Sequence, residues 1–122
     1  MTRLAAVAVV LLALLLPAAA GAHAVLVKSS PARRAVLTSA PPRVEMVFNE
    51  RLEPAYSTVS VWTAAREQVD DRRIAVSPDD PRKLTVGLPP LKQGSYVVKF
   101  RVLSVDGHVV EGTVPFDIRP RP

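Results

Sequence analysis

The chain has 122 residues, with 16 Lys and Arg against 11 Asp and Glu, a formal charge of +5 and no Cys. This length carries one domain, and the missing Cys exclude a disulfide scaffold, a thiolate zinc or iron–sulfur site and thiol chemistry. The basic residues are scattered (Arg33-Arg34, Arg43, Arg72-Arg73, Arg82-Lys83), interrupted by Asp70-Asp71 and Asp79-Asp80, and not interleaved with the few aromatics, so no nucleic-acid partner is expected.

In chain order, Arg3 precedes an apolar run from Leu4 to Leu16. Pro17 breaks the run, and Ala20-Gly21-Ala22 forms an A-x-A cleavage pattern. The run is shorter than the roughly 20 apolar residues that span a bilayer. Residues 1–22 are therefore expected to be a signal peptide cut after Ala22. Residues 23–122 would then be one exported domain, in the periplasm, in the cell envelope or outside the cell.

Beyond His23 the chain alternates with period two. Val44, Met46 and Phe48 form one such face, Val59 and Val61 another, and Leu84, Val86 and Leu88 a third. Tyr96, Val98, Phe100 and Val102 oppose Lys99 and Arg101, and Val110, Gly112, Val114, Phe116 and Ile118 oppose Glu111, Thr113 and Asp117. Ala24–Lys28 and Arg73–Val76 are shorter candidates. Turn residues separate these runs at Ser29-Ser30-Pro31, Ala40-Pro41-Pro42, Ser77–Pro81, Pro89-Pro90 and Lys92-Gln93-Gly94. The 12 Pro oppose long helices, and the one helix-like window, Thr63 to Asp71, is short and polar. The pattern predicts an all-β sandwich or small barrel of short strands. Pro115, which lacks a ladder donor, is expected on an edge or at a bulge. Met46 and Trp62 read as packing residues.

Enzymatic signatures are missing: there is no Gly-rich phosphate loop, no G-x-S-x-G and no H-E-x-x-H, and the chain is not expected to be an enzyme. The two His carry more information. Cleavage after Ala22 would make His23 the amino terminus, where its α-amine and imidazole Nδ1 close a chelate ring on one metal ion. An α-amine, with a pKa near ~8, yields its proton to a metal more readily than a Lys amine. In Asp106-Gly107-His108, residues i and i+2 of an extended chain face one side, and Gly107 permits a sharp turn or bulge. Together these residues offer two imidazoles, one amine and one carboxylate. Such a set suits a tetragonal ion, Cu(II) first and Ni(II) behind it. The lack of Cys and of a Met cluster speaks against blue-copper and Cu(I) sites. Plain roles fit the same residues: His23 as an ordinary terminus, Asp-Gly as a hairpin turn, His108 as the start of the last strand.

With these residues in view, the chain resembles the CopC-like periplasmic copper resistance proteins over nearly all of residues 23–122. The matching pieces are His23-Ala24, Ser30-Pro31-Ala32, Phe48-Asn49-Glu50, Gly94-Ser95-Tyr96, Ser104-Val105-Asp106-Gly107-His108, Gly112 and Phe116. The resemblance implies a seven-stranded Greek-key β-sandwich similar to cupredoxins and immunoglobulin domains. It implies a Cu(II) site of His23, Asp106 and His108, with Glu50 beside it as an outer carboxylate. It further implies a carrier that holds copper for tolerance, storage or delivery, with a separate CopD-like membrane copper transporter as partner. The chain lacks the Met-rich Cu(I) site of some members and has Val25 where some carry a further His. Two other functions compete: a metal-free immunoglobulin-like interaction module, and a copper mono-oxygenase with an amino-terminal His. The latter would need an aromatic platform for its polymer, which Trp62 and the two Tyr do not obviously supply.

Overall fold

The structure is a computed structural model and describes residues 25–122. The expected signal peptide, residues 1–22, and the candidate ligand His23 lie outside the described residues. Eight strands follow in order: β1 (Leu26–Ser30), β2 (Ala35–Leu37), β3 (Arg43–Phe48), β4 (Thr58–Thr63), β5 (Ile74–Val76), β6 (Lys83–Gly87), β7 (Gly94–Leu103) and β8 (Val109–Ile118). They build two four-stranded sheets, ordered β1-β3-β6-β5 and β2-β8-β7-β4. The chain passes repeatedly from one sheet to the other, as an immunoglobulin-like sandwich requires.

The period-two faces become the core. Val44, Met46 and Phe48 from the first sheet meet Val59, Val61, Val98, Val102, Val114, Phe116 and Ile118 from the second, all at 1% exposure or less. Met46 is fully buried and packs as a hydrophobe. Phe48 and Phe100 meet edge to face, with centroids 5.5 Å apart, and tie the end of β3 to β7. Such a pair adds about 0.5–1.5 kcal/mol beyond its area.

Three details depart from the sequence pattern. One strand more than expected is present: β2 has three residues, too few for an alternation to register, and pairs parallel with β8 from Ala35↔Phe116 to Leu37↔Ile118. The Thr63–Asp71 window forms no helix. It turns back on β4, with Thr63 N–H donating to Glu67 O at 2.9 Å and Val69 N–H to Val61 O at 2.9 Å. Finally, Pro115 sits on neither an edge strand nor a bulge of the β7–β8 ladder, but within β8 opposite Val97, between β7 and β2. Its carbonyl accepts Arg34 N–H at 2.7 Å, on the side away from β7, and β2 begins pairing only at Phe116. The missing donor therefore falls where the short β2 starts and costs the long hairpin nothing.

Candidate metal centre

Three segments converge at one end of the sandwich. The β7–β8 hairpin is paired continuously from Gly94↔Ile118 to Leu103↔Val109, so residues 104–108 form its tip. The segment after β3 runs beside that tip: Leu52 bridges to Ser104, Val105 N–H donates to Arg51 O at 2.9 Å, and Glu53 N–H to Leu103 O at 2.8 Å. The residue before β1 is tied to the same segment. Val25 N–H donates to the Asn49 side-chain Oδ1 at 2.6 Å, and Asn49 N–H returns a bond to Val25 O at 3.1 Å.

The tip is a tight turn. Gly107 N–H donates to Ser104 O at 2.9 Å, Ser104 N–H donates to His108 O at 2.9 Å, and Gly107 has φ +90°. A β-turn followed by a residue at positive φ is the usual three-residue hairpin loop, and Gly takes that φ without a Cβ clash. Asp106 and His108 are neighbours because of this turn, not because an extended strand points both to one side. His108 Nδ1 lies 3.1 Å from Asp106 Oδ2. Nδ1 itself is buried although the imidazole is 44% exposed, so the ring presents its other edge to solvent. A buried imidazole nitrogen and a carboxylate oxygen this close together can serve one ion as neighbouring donors.

Asp106 is held at both oxygens. The Ser104 hydroxyl donates to Oδ1, and His108 N–H reaches the same atom at 3.4 Å. These contacts, Ser104 first and the His108 ring next, hold the Asp106 carboxyl below its ordinary value. The side chain is solvent-exposed, so its charge is screened as well as paired.

Glu50 lies between the two anchor points, Asn49 and Arg51, and is half-buried. Among the described residues, no group of three or more His, Asp or Glu closes around a common point. Asp106 and His108 are thus a two-donor pair. Trp62 offers no open platform: its indole N–H bonds Ser60 Oγ at 2.7 Å, and the Lys99 ammonium stands 5.3 Å from the ring centroid. Two residues in the matching segments had no role assigned from sequence. Asn49 clamps Val25, and Ser104, 1% exposed, lies under the turn. A polar residue just past a strand, and a Ser two positions before Asp-Gly, are the turn-forming signals that point to them.

Fold and tip together define a small immunoglobulin-like sandwich that displays a carboxylate–imidazole pair at one end. The chain belongs to the CopC domain family, which matches residues 26–119. It is 36% identical over 104 residues to the copper transport protein CutJ of Bacillus subtilis, spanning 84% of this chain but only 19% of that far longer protein. It is 30% identical to copper resistance protein C of Xanthomonas campestris pv. juglandis, covering 95% of each. The crystal structure of CopC from Methylosinus trichosporium OB3b superposes with a TM-score of 0.76 at 41% identity, covering 82% of this chain and 97% of that one. The fold is therefore the sandwich expected from sequence, and the family is the one the motifs pointed to.

Proposed function

We propose that the protein is an exported copper carrier that binds Cu(II) through His23, Asp106 and His108 and performs no catalysis. The observation that carries this reading is the Asp106–His108 pair, with Oδ2 and Nδ1 3.1 Å apart at an exposed hairpin tip. Two donors are too few for a tight first-row site, so further donors must come from another segment. The start of β1 is well placed to deliver them. Val25 is bonded twice to Asn49, and the segment that follows Asn49 is bonded to the tip through Arg51 and Leu52. His23 precedes the anchored Val25 by two residues in sequence, and two residues of chain span at most about 7 Å. Once the leader is removed after Ala22, His23 adds an amine and an imidazole. The set is then nitrogen-rich with one carboxylate, which suits tetragonal Cu(II). Glu50, in the bridging segment, serves as an outer carboxylate that orients a ligand by hydrogen bonding.

Membership of the CopC domain family and the names of the relatives support copper as the cargo. Among the described residues no helix is long and apolar enough to cross a membrane. We take delivery to a membrane to involve a CopD-like transporter, as the family resemblance implies.

The test is a competitive Cu(II) titration of protein that begins at His23, of protein carrying one extra amino-terminal residue, and of His108→Ala. The reading expects tight one-to-one binding by the first. It expects a loss of about tenfold or more in each of the others, as disruption of metal-site partners typically gives. Equal affinity with the extra residue removes the amine from the site, and equal affinity in His108→Ala refutes the site.

A further inference from the structure

We infer that Ser104 is a positioning residue of the copper site: its hydroxyl sets the Asp106 carboxylate, one of the proposed ligands, beside the His108 ring. The inference rests on the copper reading above. Ser104 is 1% exposed, and a buried hydroxyl must find partners or cost stability. All the partners seen for Ser104 Oγ lie in the two candidate ligands. Its proton goes to Asp106 Oδ1, the nearest acceptor, and His108 O lies farther off at 3.3 Å. Its lone pair faces His108 N–H at 3.3 Å. The backbone of Ser104 also closes the turn, accepting Gly107 N–H and donating to His108 O.

The consequence is a fixed carboxylate. A carboxylate has several lone-pair directions and can swing about χ2 when only one oxygen is held. Ser104 engages Oδ1, and this turns Oδ2 toward His108 Nδ1 at 3.1 Å. Oδ2 and the buried Nδ1 then stand side by side as two donor atoms. Ser104 Oγ meets Asp106 Oδ1 and the backbone of His108, not the imidazole, so it acts through Asp106.

Ser57 provides a matched control. It is also buried, at 3% exposure, and its hydroxyl accepts Leu103 N–H at 3.2 Å and lies 3.5 Å from Leu103 O, beside the same hairpin. It has no such bond to Asp106 or His108. Ser104→Ala, Ser57→Ala, Ser104→Thr and His108→Ala are compared in the chain beginning at His23. Thermal unfolding of the apo proteins, competitive Cu(II) titration and Cu(II) EPR are recorded for each. Ser104→Ala is expected to weaken Cu(II) by about tenfold, in the range seen when outer partners of metal ligands are lost, and to change the EPR parallel splitting. Ser57→Ala is expected to lower the unfolding temperature while leaving the affinity and the EPR spectrum at wild-type values. Ser104→Thr, which keeps the hydroxyl, is expected to recover most of the wild-type spectrum. If Ser104→Ala and Ser57→Ala match wild type alike in affinity and spectrum, while His108→Ala binds weakly, the role of Ser104 is refuted and the copper site stands. If His108→Ala binds as wild type does, the copper reading itself fails and the inference falls with it. Should Ser104→Ala not fold, a Ser104→Thr protein with an altered spectrum would equally overturn the proposal.

Discussion

Replacing Gly107 by Ala isolates the backbone demand of the hairpin tip. A Cβ built on Gly107 meets nothing within 4 Å, so no steric clash contributes. The cost is conformational: φ is +90°, where an L side chain crowds its own backbone. Left-handed conformations cost a non-Gly residue about 1–2 kcal/mol. Against this, Ala restricts the unfolded chain and returns about 0.4–1 kcal/mol. At mid-range values the net destabilisation is about 0.8 kcal/mol, or a fall in Tm of roughly 3–6 °C for a domain of this size. Gly107→Asn provides the companion measurement, since Asn enters positive φ more readily than Ala. It should recover at least half of the loss. Thermal unfolding followed by circular dichroism reads both variants. Because the same turn brings Asp106 and His108 together, Gly107→Ala should also bind Cu(II) more weakly than Gly107→Asn. An Ala variant that melts with wild type, or an Asn variant that loses as much as Ala, would refute the role given to positive φ.

Other sites give independent tests. The Asp70 carboxylate, 9% exposed, accepts Val61 N–H at 2.8 Å, Arg72 N–H at 2.9 Å and Gln68 Nε2 at 3.1 Å, and so closes the outer edge of β4. Asp70→Ala strands a buried N–H and should cost about 2–4 kcal/mol in urea unfolding, with Cu(II) affinity unchanged. Gly112 faces Phe100, and an added Cβ would stand 2.8 Å from its Cζ. Gly112→Val should therefore destabilise by about 1–3 kcal/mol through overpacking, read in the same assay. Asp106 titrates below the ordinary Asp value of 3.8 because Ser104 and His108 hold its ionised form. A depressed folded-state pKa means the stabilisation is present above the unfolded value and is lost as pH falls through the lower folded one. Carboxyl-carbon NMR should place the midpoint below 3.8, and Ser104→Ala should move it upward. An unmoved midpoint would show that the hydroxyl contributes nothing to the charged form.

The alternation of Val44, Met46 and Phe48, and of Tyr96, Val98, Phe100 and Val102, was enough to place the core, because burial on one face of a strand repeats every two residues. The same reasoning missed β2, since Ala35-Val36-Leu37 is stabilised by its parallel partner β8 rather than by a local pattern. It misplaced Pro115 because edge position depends on which strand lies beside β8, a long-range fact. The 63–71 window resembled a helix only in composition. Its backbone bonds go instead to β4, whose open edge it covers.

The candidate site divides in the same way. His23, Asp106 and His108 stand out in the sequence as candidate donors because metal chemistry limits which side chains can serve, and the chain has two His and no Cys. The sequence by itself determined the all-β class and the core faces and singled out these candidate donors, all of which follow from local periodicity and residue chemistry. Only the tertiary structure decided that a turn, not an extended strand, joins Asp106 to His108. It also decided that Asn49 binds the start of β1 and that Ser104 lies buried beneath the pair. Those are relations between segments far apart in the chain or across a turn closed by backbone bonds, and they exist only once the sheets have packed.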